Sequence, residues 1–351
     1  MGSAPSIGST LPFVSPFPHD ETGTFIARQP SRAITMITTE KAILALVAAA
    51  APTLAQECDC YLIGGSYPTY YANHGFWDFR SLSQYAVAEA PPIPGTRQEN
   101  TDAPFTSDFF NWESEFAQFW GPQRWNNSGE EFMNVNSYNN LYIESDPDGQ
   151  TETYLTMRTA RVAADFQTSA EFESMEEVDH ASMRMRARTH GSSGACTSIF
   201  TYRGAEQLKD VQESDIEVLT RDATDAVHYT NQPSYLEDGT TVDGASHQIT
   251  LPVPWTEWSD HRLDWTPGRT TWSVDSQELH SQEFQAPTQP SRILLNAWSD
   301  GKDWTGMMDE GGAAYQHIQW IEIAYGVTDE ASCQNVCSID ESSEPGAPRM
   351  L

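Results

Sequence analysis

The chain has 351 residues, with 50 Asp and Glu against 19 Lys and Arg, for a formal net charge of −31. Such a surface repels phosphate backbones and excludes nucleic acid as a partner. Aromatic residues make up 11%, with 11 Trp, 13 Tyr and 15 Phe; core packing uses most of them, and this much Trp also suits stacking on the apolar faces of sugar rings.

Residues 1–35 are rich in Ser, Pro and Thr with no periodic apolar pattern, and read as an upstream extension or a mis-assigned start. From Met36 the pattern changes to a short segment carrying Lys41, an apolar run over Ala42–Ala51, and a small-x-small site ending at Ala55. That is a signal peptide over 36–55, too short in its apolar run to span a membrane. A secreted, extracellular protein beginning at Gln56 is expected, with no membrane anchor. Five cysteines follow: Cys58, Cys60, Cys196, Cys333 and Cys337. Secretion favours disulfides, and without companion His residues the C-x-C and C-x3-C spacings do not argue for a metal site. Neither a metal nor a cofactor is expected.

Gly75–Arg80 reads as a first strand, and the Pro-rich residues 90–104 as a loop or covering segment. Asn126-Asn127-Ser128 is an N-glycosylation sequon, placing a surface loop there. Thr151–Thr159 and Ser182–Arg188 alternate with period 2, the second setting Met183, Met185 and Ala187 against Arg184, Arg186 and Arg188. Between them, the acidic run Glu171–Asp179 reads as a solvated face. His190 beside Gly191 reads as a turn residue. Ala195–Tyr202 is a further strand. Downstream, Ser259–Trp265 and Thr270–Asp275 flank Pro267-Gly268, a hairpin signal. Arg292–Trp298 and Ala314–Gly326 close the series, and 331–351 reads as a Cys-containing disordered tail. Many strands, almost no helical periodicity and no internal repeat point to one all-β sandwich.

The stretch that carries chemistry is Gln212–Leu219. As a strand it turns Glu213, Asp215 and Glu217 to one face and Ser214, Ile216 and Val218 to the other. Three carboxylates in file cannot all ionise cheaply, so one or more pKa values should rise. A glycosidase needs one carboxyl protonated as acid and another ionised as nucleophile. Glu213 and Glu217 lie about 13 Å apart at Cα on an extended strand, whereas a retaining pair needs carboxyls roughly 5–5.5 Å apart. Only a concave sheet brings them toward that spacing. Spacing alone does not decide, because about one such triple arises by chance at this composition.

The surrounding motifs narrow the reading. The chain resembles glycoside hydrolase family 16, the laminarinase and lichenase type, and in particular its secreted fungal members. The E-x-D-x-E hallmark is matched by Glu213-Ser214-Asp215-Ile216-Glu217. His190 to Tyr202, Leu263–Gly268 with Trp272–Asp275, Asn296–Gly301 and Trp320–Glu322 follow in the family's order. The resemblance implies a concanavalin-like β-jelly-roll sandwich over 56–330, with a concave sheet forming an open sugar-binding cleft. It implies Glu213 as nucleophile, Glu217 as general acid/base and Asp215 as their helper, with Asn296 and Trp298 on the substrate; Trp304, in the same loop segment, is a stacking candidate. The implied activity is retaining endo-hydrolysis of a polysaccharide partner, β-1,3 or β-1,3(4)-glucan, by a monomer. A cell-wall transglycosylase with the same trio is the runner-up, and a non-catalytic glycan-binding sandwich the reading from another class. Ser259 and His261 depart from the family's usual His and Tyr before its hairpin. A jelly roll can bring its chain ends together, so Cys58 and Cys60 are expected to pair with Cys333 and Cys337, with a Cys333–Cys337 bridge as the alternative. Cys196 is then a buried free thiol.

Overall fold

The computed structural model describes residues 57–127 and 132–351. The upstream extension, the signal peptide, Gln56 and Ser128 of the sequon lie outside the described residues; Asn126 itself is half-buried. The chain forms a β-sandwich, and its α-helix among the described residues is the single turn Arg97–Thr101. That turn lies inside the expected Pro-rich covering segment. Thr96 and Glu99 cap it reciprocally, a T-x-x-E signature present in the sequence.

One sheet runs in the order Ser246–Thr250, Ala226–Gln232, Gln212–Leu219, Cys196–Arg203, Arg292–Trp298, Phe166–Ser174 and Trp120–Pro122, antiparallel throughout. The back sheet centres on the long strand Ala313–Thr328, flanked by Ala181–Gly191 on one side and by Thr69–Asp78 and Thr153–Ala163 on the other. It continues through the hairpin Ser259–Thr266 and Arg269–Val274. Gly268 takes φ +77° in the connecting turn, the left-handed position that a Pro-Gly turn requires. Phe166–Ser174 joins the layers: its first residues pair with Thr153–Ala163 and its last with Arg292–Trp298.

Alternation builds the core. Ile216 and Val218 turn inward beside Ile199, Ile293 and Leu295, against Met183, Met185, Leu263 and Trp272 from the back sheet. Burying each such aliphatic side chain stabilises the fold by roughly 1.5–3 kcal/mol. Ser259 and His261 point into the same interior. Their side chains bond to each other at 3.1 Å, and burial drops the imidazole to about 4, so it stays neutral. This departure is a buried pair on the back sheet.

The two pairs of cysteines join as expected. Cys58 bonds Cys337 and Cys60 bonds Cys333, while Cys196 is free and buried. The expected disordered tail is corrected. Val336–Ser338 pairs in parallel with Cys60–Ile63, and Arg349–Met350 pairs back onto it. Asp340 binds Arg262 and accepts the Gly64 N–H. Long-range cross-links and ion pairs order a segment whose local composition is that of a free coil.

Candidate active site

Directly opposed residues on neighbouring strands share a face, so the register extends the acidic file sideways. Glu217 lies opposite His228 on one side and Ser198 on the other, and that row continues through Asn296 to Glu171. The Asp215 row holds Thr230, Phe200, Leu294 and Glu173. The Glu213 row holds Gln232, Tyr202 and Arg292. Except for His228, Glu173 and Arg292, these rows line a cleft together with Trp125, Tyr235, Trp298, Asp300 and Trp304. All six side chains singled out in the sequence therefore face one space.

Four of them, Asp215, Glu217, Asn296 and Trp304, are held by identifiable contacts. Trp272, from the back sheet, donates its indole N–H to the Asp215 carbonyl at 2.9 Å and anchors the acidic strand from beneath. Gln232 donates to Asp215 Oδ2 at 3.3 Å. Asn296 Oδ1 accepts from Ser198 at 2.5 Å. Trp304 rides on the loop after Trp298. Asp300 folds that loop by accepting from the backbone N–H of Lys302, Trp304 and Thr305. Gly301 there takes φ +62°, and a Cβ on it would stand 2.7 Å from the Phe132 ring, so the turn admits glycine only. The loop delivers the Trp304 indole N–H to Glu217 Oε1 at 3.0 Å. Trp304, read from sequence as a stacking platform, is thus a hydrogen-bond donor to a carboxylate of the file.

Electrostatics separate the three carboxyls. Burial and the charges of Glu213 and Glu217 push Asp215 well above the usual carboxylate range. Burial and Glu217 push Glu213 up to about 8, against the opposing hydrogen bond from Asp215. Glu217 is raised by burial, with the Trp304 hydrogen bond, the His228 charge and the Cys196 thiol pulling it back. Asp215, flanked by Glu213 and Glu217, is the group held well above its usual range by both neighbours as well as by burial. Burial thus raises all three carboxyls, and their titrations belong to the group.

A cleft residue, Glu171, and its strand neighbour Glu173 escaped the sequence reading. Glu171 and Glu173 are 6% and 7% exposed and belong to strand Phe166–Ser174. The solvated-face reading is corrected for them, though Glu176 and Glu177 beyond the strand are exposed. Glu171 accepts from Trp125 Nε1 at 2.6 Å, and burial raises it to about 8, so it is neutral at pH 7. The x-E-x-E alternation of Ala170–Ser174 was the signal available. His190 sits in a strand of the back sheet, its ring against His317 Nε2 at 3.2 Å, and not in a turn. Among the described residues, no group of three or more His, Cys, Asp or Glu is placed to hold a metal ion.

A family profile described as Glycosyl hydrolases family 16 matches residues 128–322, more than half of the chain. The chain belongs to that family. Among curated relatives, a beta-glucanase of Fibrobacter succinogenes is 26% identical over 179 residues, covering 47% of this chain and 49% of that protein. One of Bacillus subtilis is 27% identical over 156 residues, covering 43% and 61%. The chain thus spans about half to three-fifths of the length of these relatives. The solved Bacillus licheniformis beta-glucanase superposes with TM-score 0.50 at 20% identity, over 61% of this chain and 95% of that one. A lichenase from a mouse hindgut metagenome gives TM-score 0.50 at 18% identity, over 73% and 99%. The family 16 jelly-roll fold is shared across that divergence.

Proposed function

We propose that this family 16 protein is a secreted, monomeric, retaining endo-β-glycosidase acting on β-1,3 or β-1,3(4)-glucan. One observation carries the mechanism: Glu213, Asp215 and Glu217 stand in file on one face of Gln212–Leu219, with Glu217 gripped by Trp304. Ionised Glu213 attacks the anomeric carbon while Glu217 gives its proton to the departing glycosidic oxygen. The product is a glycosyl ester on Glu213. Glu217, now a base, takes a proton from water, whose oxygen attacks the same carbon and frees Glu213 with configuration retained. Asp215 holds its proton toward Glu213, which spreads charge from the nucleophile before attack. Neutral Glu171, with Asn296 and Trp298, offers hydrogen bonds and a ring face to the glycan. The glucan assignment follows the names of the beta-glucanase relatives.

Release of reducing ends from a panel of β-glucans and galactans tests the substrate, and analysis of product length separates hydrolysis from transfer. Glu217→Ala tests the roles. It should still form the glycosyl-enzyme from activated aryl glycosides, whose leaving groups need no proton, and then stall. Azide should restore turnover and yield the β-glycosyl azide. Full activity of this variant on natural glucan would refute the assignment.

Secretion rests on the n-region, apolar run and small-x-small site before Gln56. N-terminal sequencing of secreted material should begin at Gln56 or its pyroglutamate. A secreted form retaining residues 1–35 would overturn this reading.

A further inference from the structure

We propose that Cys196 is a positioning residue for Glu217: with Trp304 it fixes one carboxylate oxygen, so that the transferable proton is carried by the other, Oε2. This rests on Glu217 being the acid/base. Cys196 is the free cysteine, fully buried on the strand beside the acidic one. Its Sγ lies 3.5 Å from Glu217 Oε1, the same oxygen that Trp304 Nε1 reaches at 3.0 Å. Burial and then the Glu217 charge push the thiol well above its ordinary range, so it remains S–H and donates. An indole N–H only donates. Two donors converging on Oε1 leave no geometry in which that oxygen also carries a hydrogen pointing at them. The proton of the acid form therefore sits on Oε2.

Trp304 is braced in turn. His228 packs edge-on to its ring at 4.9 Å and is bound by Asp222 at 2.7 Å. The charged or titratable groups around Glu217 are Glu213 and Asp215 on its own strand and Cys196 on one neighbouring strand. His228, backed by Asp222, faces it from the other, Asp300 from the loop, and Tyr235 across the cleft. Of these, Cys196 supplies an uncharged donor on the floor of the site, where it stabilises the carboxylate form without adding charge. A donor to the ionised form lowers a carboxyl pKa, so its loss raises Glu217, and the alkaline limb of activity, where the acid is lost, moves to higher pH.

The experiment follows Glu217 by 13C NMR of labelled glutamate carboxyls, assigned with Glu217→Gln, in Cys196→Val and Cys196→Ser proteins. Valine keeps the approximate shape and removes the donor; serine keeps a donor. Cys196→Val should raise the Glu217 midpoint by about half a pH unit or more, and Cys196→Ser should leave it near the wild-type value. The kcat/KM alkaline limb should move with it. Should the valine disturb the strand, Cys196→Ala removes the donor without added bulk and gives the same readout. An unchanged midpoint in the donor-less variants, or an equal shift in the serine variant, overturns the proposal. The NMR shift without hydrolysis of any glycan would instead refute the glycosidase reading and leave the contact standing.

Discussion

Glu213→Gln should lower kcat/KM by roughly 10⁴-fold or more on every substrate, about 5.5 kcal/mol of barrier. The amide is a poor nucleophile, and the loss does not depend on the leaving group, because no alternative route to the glycosyl-enzyme exists. Glu217→Ala differs: activated aryl glycosides bypass its first role. Stability should move the other way. Burial and Glu217 hold Glu213 above its unfolded pKa, at about 8. A carboxyl raised in the folded state opposes folding once pH exceeds its unfolded value, since ionisation favours the unfolded chain. Glutamine removes that opposition and the repulsion within the file, so the thermal midpoint at pH 7 should hold or rise. Kinetics and calorimetry on the same sample check both. Activity within tenfold of wild type on glucan would end the nucleophile assignment, and a fall in midpoint would show that the file is not strained by its charges.

The parts of this structure that local sequence could carry are those where one strand face is apolar and the other is not. Ile216 and Val218 between the three carboxylates set the parity of the acidic strand, and Met183, Met185 and Ala187 set that of Ala181–Gly191. Phe166–Ser174 is buried along its whole length, so its polar residues Gln167, Thr168, Glu171 and Glu173 break the expected alternation. Their partners come from distant strands and loops, among them Trp125 and Arg292. No local pattern announces such partners, and Glu171 consequently merged with the exposed acids after it. The indole of Trp304 was recognised as a cleft residue, but its direction depends on Asp300 folding the loop, a tertiary fact. The jelly-roll resemblance implied which cysteines join, with a Cys333–Cys337 bridge as the alternative; which sulfur meets which depended on the register of Val336–Ser338 against Cys60–Ile63.

Glu322→Ala should cost about 3–5 kcal/mol, through a carboxylate that takes no part in the cleft. Glu322 lies on the back-sheet strand Ala313–Thr328, opposite Arg184, with its side chain fully buried. It accepts from Arg184 Nε at 3.0 Å and Nη2 at 2.7 Å, from His74 Nε2 at 2.7 Å, and from the Gly346 N–H at 3.1 Å. Removing it strands a largely buried guanidinium and unties the C-terminal segment, whose Gly346 packs against the Phe76 ring so closely that a Cβ would stand 2.2 Å away. Burial works to raise the Glu322 pKa, but the hydrogen bonds and charges of His74 and Arg184 outweigh it, and the net direction is down. A carboxyl lowered in the folded state contributes stability above its unfolded pKa, near 4.3. That contribution is lost as pH falls through the folded value. At pH 7 the variant should therefore melt on the order of 10 °C lower. The gap between wild type and variant should narrow as pH drops below about 4, where wild-type Glu322 begins to protonate. Glu322→Gln, which keeps an acceptor but no charge, should lie between the two. Thermal midpoints of the three proteins from pH 3 to 7 measure this directly. A gap that stays constant across that range would mean that the carboxylate's charge contributes nothing, and that packing alone holds the chain ends to the sheet.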